Sequence, residues 1–252
     1  VIGITVKDTE THEVKNLSTP AVINATGSWA EELHPSPKPK LHLRPLWGSH
    51  LIFPNRVLPL SHAVSFVHPW DNRPVFVIPW EGSLLLGTTD VDHKKDLSKE
   101  PAISEEEISY LMEGFKTMFP SVDISLEDCL STFAGIRPIL SKGKISPSEE
   151  SREHIVWTDN GLVTITGGKL TTFRRSALDA LKAVNPFLTP GKIKGPRAPA
   201  FFKVPGHPEK DYGLPVSVWH RLYGRYGESA NDLVSMAAPE DLSYIPGTHT
   251  LW

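Results

Sequence analysis

The stretch Leu162 to Arg174, LVTITGGKLTTFR, holds the residues of this chain best placed to do chemistry. An apolar β-branched run stops at Gly167-Gly168, and a helical pattern follows at once through Lys169, Leu170, Thr171 and Thr172 toward Leu181. Paired glycines let the backbone come close to whatever lies above the turn. A helix start offers unpaired N–H groups and the positive end of a dipole, and Lys169 adds a full charge there. The junction is suited to an electron-rich group: a phosphate, a carboxylate, or the pyrimidine edge of a flavin. It lacks the spacing of a nucleotide P-loop.

Two arginines and a histidine stand at other chain reversals. Arg137 lies in Gly135-Ile136-Arg137-Pro138, expected as a turn after a strand from Cys129 to Ala134, with Pro138 holding Arg137 out of the helical region. Arg152 precedes a strand that pairs with the Lys169 strand. If the Leu130–Ala134 strand belongs to that same sheet, the three cations share one end of it. Each arginine alone reads as a solvated or ion-paired surface group. His50, in Gly48-Ser49-His50, reads equally as a structural or a catalytic histidine.

The elements that must position these groups can be read from pattern. Val1–Val6 and Glu13–Lys15 read as a hairpin, and Ala21–Ala25 as a short buried strand ended by Thr26-Gly27-Ser28-Trp29. Pro35 to Pro45 reads as a linker, followed by strands at His50–Phe53, Ala63–Val67, Pro74–Ile78 and Ser83–Gly87 whose hairpin spacing predicts an antiparallel sheet. Ser104 and Glu107 form a capping box for an amphipathic helix, Glu105 to Met118, closed by Pro120. A polar loop spans Ser141 to Glu150. Asn160-Gly161 between Ile155–Trp157 and Leu162–Thr166 predicts a hairpin. Residues 190–213 read as a Pro-, Gly- and Lys-rich link to one or two helices within Val216–Met236.

At 252 residues the chain has room for one large or two smaller cores. A net charge of -3 excludes a generally basic nucleic-acid binder but not a local basic pocket. The single cysteine, Cys129, excludes an internal disulfide framework, suits a reducing compartment and is expected as a buried small side chain. No run reaches the length of a membrane span, no signal peptide is read, and no metal site is expected. The absence of an initiator Met and the abrupt end at Trp252 suggest a piece of a longer protein.

The ordered set Asn24-Ala25-Thr26-Gly27-x-Trp29, Gly48-Ser49-His50, Ile78-Pro79-Trp80, Gly87-Thr88-Thr89-Asp90, Gly135-Ile136-Arg137-Pro138, Ser151-Arg152-Glu153-His154 and Gly167 to Arg174 resembles the FAD-dependent glycerol-3-phosphate dehydrogenases. These belong to the D-amino-acid-oxidase-like flavoproteins. The likeness covers Val1 to about Val184 and, more faintly, Leu214 to Met236. It implies an α/β plus α+β architecture: a partial Rossmann-like FAD-binding domain (1–34 and 151–187), a mostly antiparallel substrate domain (35–150), and a linker with a truncated helical piece (188–252). It implies FAD contacts at Ala25, Thr26, Gly27, Gly135, Gly167, Gly168, Lys169, Leu170 and Thr171. It places His50, Arg137, Arg152 and Lys169 around a phosphorylated three-carbon substrate, with His50, Arg137 and Lys169 carrying catalysis.

The implied reaction is oxidation of sn-glycerol 3-phosphate to dihydroxyacetone phosphate, with electrons passed to quinone or oxygen in the cytoplasm; docking at the inner membrane face stays open. Two alternatives remain at this point: a related flavin-dependent amine or amino-acid oxidase, and a non-catalytic phospho-ligand module. The G-x-G-x-x-G that holds the FAD pyrophosphate in the family does not occur in this chain. This piece is therefore expected neither to hold FAD tightly nor to turn over alone.

Overall fold

The computed structural model describes residues 1–33, 42–94, 96–141, 150–189, 191, 195, 197–199, 210, 212–245 and 251. They fall into two compact units, Val1–Pro196 and Arg197–Trp252. Most of the expected Pro35–Pro45 linker, nearly all of the Ser141–Glu150 loop and much of 190–213 lie outside the described residues.

In the first unit, β1 (Gly3–Lys7) and β2 (Val14–Ser18) form the expected antiparallel hairpin. A three-stranded sheet follows the order β10 (His154–Asp159), β11 (Leu162–Gly167), β3 (Val22–Asn24). The β10–β11 hairpin turns at Asn160-Gly161, both at positive φ, as that dipeptide favours. Strand β3 pairs in parallel with β11. It is not the buried strand expected: at this sheet edge only Asn24 is buried, and Ile23 is exposed.

The larger sheet is antiparallel as predicted: β5 (Val64–Val67), β6 (Pro74–Trp80), β7 (Ser83–Gly87), β4 (His42–Pro54) and β8 (Val91–Asp92), with β9 (Ser131–Ser141) on the other side of β4. Strand β4 begins at His42, so the end of the proline-rich stretch is strand. Strand alternation turns Leu51, Phe53, Leu84 and Leu86 toward α1 (Glu105–Met118), which answers with Leu111 and Phe115 one turn apart. Each of these buried side chains stabilises the unit by roughly 1.5–3 kcal/mol. The Ser104/Glu107 capping box forms, and Phe119 ends the helix ahead of Pro120.

Three expectations are corrected. Strand β9 does not stop at Ala134 but runs through Gly135-Ile136-Arg137-Pro138. Pro138 on β9 faces Pro45 on β4, and β9 pairs with β4 alone among the named strands, so a missing N–H can point away from the ladder. Strand β9 therefore belongs to the larger sheet, not to the sheet carrying Lys169, and the three cations do not share the end of one sheet. Cys129 is half-buried, its thiol directed to the Ser131 carbonyl at 3.3 Å.

The second unit is a helical pair, α3 (Val216–Tyr226) and α4 (Ser229–Met236), as expected for Val216–Met236. Gly227 at positive φ reverses the chain, and Trp219, Tyr223, Ala230 and Val234 form its core. No helix among the described residues is long and apolar enough to cross a membrane.

Candidate functional site

Cross-strand register builds the first half of the site. On β4 and β9, His50 faces Phe133, Gly48 faces Gly135, and Leu46 faces Arg137. Directly opposed residues of antiparallel strands project to the same side, here the face opposite α1. The His50 ring stacks on Phe133 with centroids 4.5 Å apart. Between the two pairs, the glycines leave a floor: a Cβ on Gly48 would lie 2.1 Å from the Arg137 guanidinium, so that side chain lies back over Gly48 toward His50. A Cβ on Gly87 would lie 2.2 Å from the His50 ring. The motif glycines are thus seats for the Arg137 and His50 side chains.

Arg137 is wired in place. Its Nη2 donates to Thr88 Oγ1 at 2.6 Å, and its Nη1 donates to the Thr89 carbonyl at 3.2 Å and to Asp90 Oδ1 at 3.0 Å. The other Asp90 oxygen accepts from Arg152 Nη2 at 2.5 Å. Burial pulls the Arg137 pKa down, Asp90 opposes this, and the nearby Arg152 charge adds to the fall. Burial and then the Arg137 charge depress His50 to about 4, so its imidazole is neutral at pH 7. The His50 Nδ1 is buried without a hydrogen-bond partner among the described residues.

The Thr88–Asp90 segment is held from behind by a buried carboxylate. Glu107 accepts from Ser49 Oγ at 2.8 Å, from the Thr89 hydroxyl, and from the Ser104 backbone N–H at 3.0 Å. Thr89 Oγ1 also accepts from the Ser49 N–H at 2.9 Å, and Trp47 Nε1 donates to Ser49 Oγ at 2.9 Å. The capping carboxylate of α1 therefore doubles as the anchor of the Arg137 cradle. In the sequence Glu107 reads only as a helix cap and Asp90 only as part of a motif. Nothing local to either residue signals the second role.

The second half is the glycine turn. Gly167 and Gly168 both adopt positive φ, and a Cβ on Gly167 would lie 2.7 Å from the Glu153 carbonyl. A Cβ on Gly168 would lie 3.1 Å from that of His154. Helix α2 (Phe173–Val184) does not start at Lys169 as expected. Lys169 is extended and a 3₁₀ turn, Leu170–Thr172, intervenes. Thr172 Oγ1 closes that turn, accepting from the Lys169 N–H at 3.1 Å and donating to the Lys169 carbonyl at 2.9 Å. The helix dipole thus begins several residues beyond the glycines.

Lys169 and Arg152 line one hollow of about 470 Å³ with Glu153, His154, Thr172, Arg175 and Asp179. Asp179 pairs there with His154 at 3.1 Å and Arg175 at 2.8 Å. The structure thus joins Arg137 to Arg152 through Asp90, and Arg152 to Lys169 through this hollow.

The remaining predicted residues flank the turn. Asn24 Oδ1 accepts from Thr26 Oγ1 at 2.7 Å, Asn24 Nδ2 donates to the Ala30 carbonyl at 2.9 Å, and Thr166 Oγ1 donates to the Gly27 carbonyl at 3.0 Å. These bonds hold Ala25, Thr26 and Gly27 beside β11. Gly27 (positive φ) and Gly135 have open space where a Cβ would stand. Trp29, Phe133 and Leu170 are exposed, Leu170 to 89%.

Residues 1–174 match the family model described as FAD dependent oxidoreductase. The chain is 38% identical over 179 residues to the aerobic glycerol-3-phosphate dehydrogenase of Bacillus subtilis, covering 70% of this chain and 32% of that protein. With the protein of the same name from Staphylococcus haemolyticus the identity is 32% over 259 aligned positions, 94% of this chain and 46% of that one. The solved glycerol-3-phosphate dehydrogenase from Bacillus halodurans, complexed with FAD, matches with a TM-score of 0.65 at 31% identity, covering 74% of this chain and 36% of that structure. The chain spans less than half the length of these relatives.

Proposed function

The chain belongs to the FAD-dependent oxidoreductase family, and from that premise we propose that it carries the substrate-facing part of an enzyme oxidising sn-glycerol 3-phosphate to dihydroxyacetone phosphate. One observation carries the reading: two arginines from separate chain segments meet on Asp90, one of them shares a hollow with Lys169, and a neutral histidine lies over the strand face that carries the other. Planar guanidinium forks and an ammonium suit a phosphate dianion.

The residues fit the cofactor. Open space over Gly27 and Gly135, exposed Trp29, Phe133 and Leu170, and the paired positive-φ glycines beside Lys169 leave room and N–H donors for a flat anionic ring. Ala25, Thr26 and Gly27 would hold it from one strand end, and Gly167 to Thr171 from the other. FAD, when bound, supplies the acceptor for the C2 hydride and relays the electrons to quinone or oxygen. Lys169 would favour negative charge on the flavin's pyrimidine edge.

Arg152 and Lys169 would hold the phosphate, while Arg137, most of its donors already committed, fixes the field beside His50. His50 would accept the C2 hydroxyl proton at Nε2, since Nδ1 is buried. Its depressed pKa keeps the base unprotonated and returns the proton readily to solvent. On this reading, residues 1–34 and 151–187 are parts of the FAD-binding domain, 35–150 are mainly the substrate domain, and 188–252 are the linker and the start of a helical domain.

Steady-state assays of the full-length, flavin-loaded parent enzyme test the proposal. Arg137→Ala and Arg152→Ala should each cost on the order of 2–4 kcal/mol of transition-state binding. Unchanged kinetics for both, or equal rates on glycine-like amines, would overturn it.

A further inference from the structure

Asp90 is a negative group at the centre of a site read as taking a dianion. Its side chain is largely buried, and its two oxygens go to different guanidiniums, Arg137 on β9 and Arg152 ahead of β10. The two arginines come from different segments, β9 and the stretch ahead of β10, and their like charges repel one another, Arg152 adding to the lowering of Arg137 that burial begins. Asp90 is itself rigidly held: its carbonyl accepts from Arg73 Nη1 at 2.7 Å, and its neighbour Thr89 is bonded to Glu107. The two arginines are also unequally committed. Among the described residues, Arg137 donates to three groups, whereas the bond found for Arg152 is the one to Asp90. With five N–H donors on a guanidinium, Arg152 keeps most of its own for a ligand.

We propose that Asp90 is a positioning residue for phosphate: seated between Arg137 and Arg152, its carboxylate holds two mutually repelling guanidiniums together and aims the open donors of Arg152 into the hollow shared with Lys169. The proposal rests on the phosphate reading above. It makes a counterintuitive claim about sign. Plain charge counting says that removing a carboxylate from an anion site tightens anion binding. Here removal releases Arg152 from its tether and weakens it.

The test is calorimetric titration of the whole chain, with FAD present, using glycerol 3-phosphate and inorganic phosphate as probes. Asp90→Asn should weaken both at least about tenfold, the scale of one charge-assisted hydrogen bond. In an Arg152→Gln background the same change should alter affinity less than about twofold, because the arm that needed holding is gone. A merely structural role would subtract equally in both backgrounds and would overturn the inference, as would unchanged or tighter binding by Asp90→Asn. If circular dichroism shows that Asp90→Asn does not fold, Asp90→Glu replaces it. Retaining the charge, Glu should stay within about threefold of wild type, and a loss of tenfold or more would count against the idea. No binding of either probe by the wild-type chain would instead sink the phosphate reading itself.

Discussion

The His50–Arg137 face and the Gly167–Lys169 turn are two halves of one proposed site, built on opposite plans. On the face, His50 and Arg137 are seated by glycines, Arg137 is hydrogen-bonded, and the segment behind it is backed by a buried carboxylate. At the turn, the backbone carries the design: two positive-φ glycines packed against Glu153 and His154, with Lys169 and Leu170 projecting outward. The face spends stability to hold a fixed field. The turn leaves N–H groups and an exposed cation for a ligand to organise. Damage to the face should therefore spread into folding, and damage to the turn should stay local.

The strongest way to break the face is Glu107→Ala, which strands the buried Ser49 and Thr89 hydroxyls. It should cost about 3 kcal/mol in urea unfolding, from roughly 1–3 kcal/mol per orphaned group. Backbone chemical shifts around Gly167 and Gly168 should hardly move. Gly87→Ala comes next: its methyl would collide with a ring already stacked on Phe133, costing about 1–3 kcal/mol. The displaced His50 should titrate closer to 6.5 by NMR.

His50 also sharpens the comparison through pH. Its folded pKa is about 4 against an ordinary 6.5. Between these values the unfolded chain takes up the proton and the folded chain does not. Its contribution is therefore complete above 6.5 and disappears as pH falls toward 4. His50→Gln should flatten the slope of stability against pH in that window, measured by unfolding at several pH values.

At the turn, Gly168→Ala forces an alanine to φ +82° with a tight neighbour in His154, and should cost about 1–2 kcal/mol. The smallest effect belongs to Lys169→Ala: within about 0.5 kcal/mol in stability, because the side chain is exposed, yet with loss of phosphate affinity by calorimetry. A large fall in melting temperature for Lys169→Ala would show the two halves to be built alike after all.

Local chemistry was readable from the chain. The α1 start follows from Ser104 and Glu107 three residues apart, and the β10–β11 hairpin from Asn160-Gly161, because caps and tight turns are settled by neighbours within a few residues. The need for glycine at Gly167-Gly168 is likewise legible, although what packs against them in the structure is the Glu153 carbonyl and His154 of the same chain. The misreadings arose where a distant strand overruled a local signal. Gly135-Ile136-Arg137-Pro138 looks like a turn, yet eleven consecutive residues of β4 impose strand geometry on it. Lys169 looks like a first helical residue, yet the hydroxyl of Thr172 holds it extended for one more turn.

The sequence by itself determined the candidates: an ordered set of glycines, arginines, a lysine and a histidine, each set in a recognisable local frame. Only the tertiary structure decided who meets whom. Asp90 between Arg137 and Arg152, and Glu107 beneath Thr89, join residues 47, 62 and 18 positions apart. Such contacts depend on strand register and sheet packing, whose free energy is summed over the whole core and is invisible in any short window of residues.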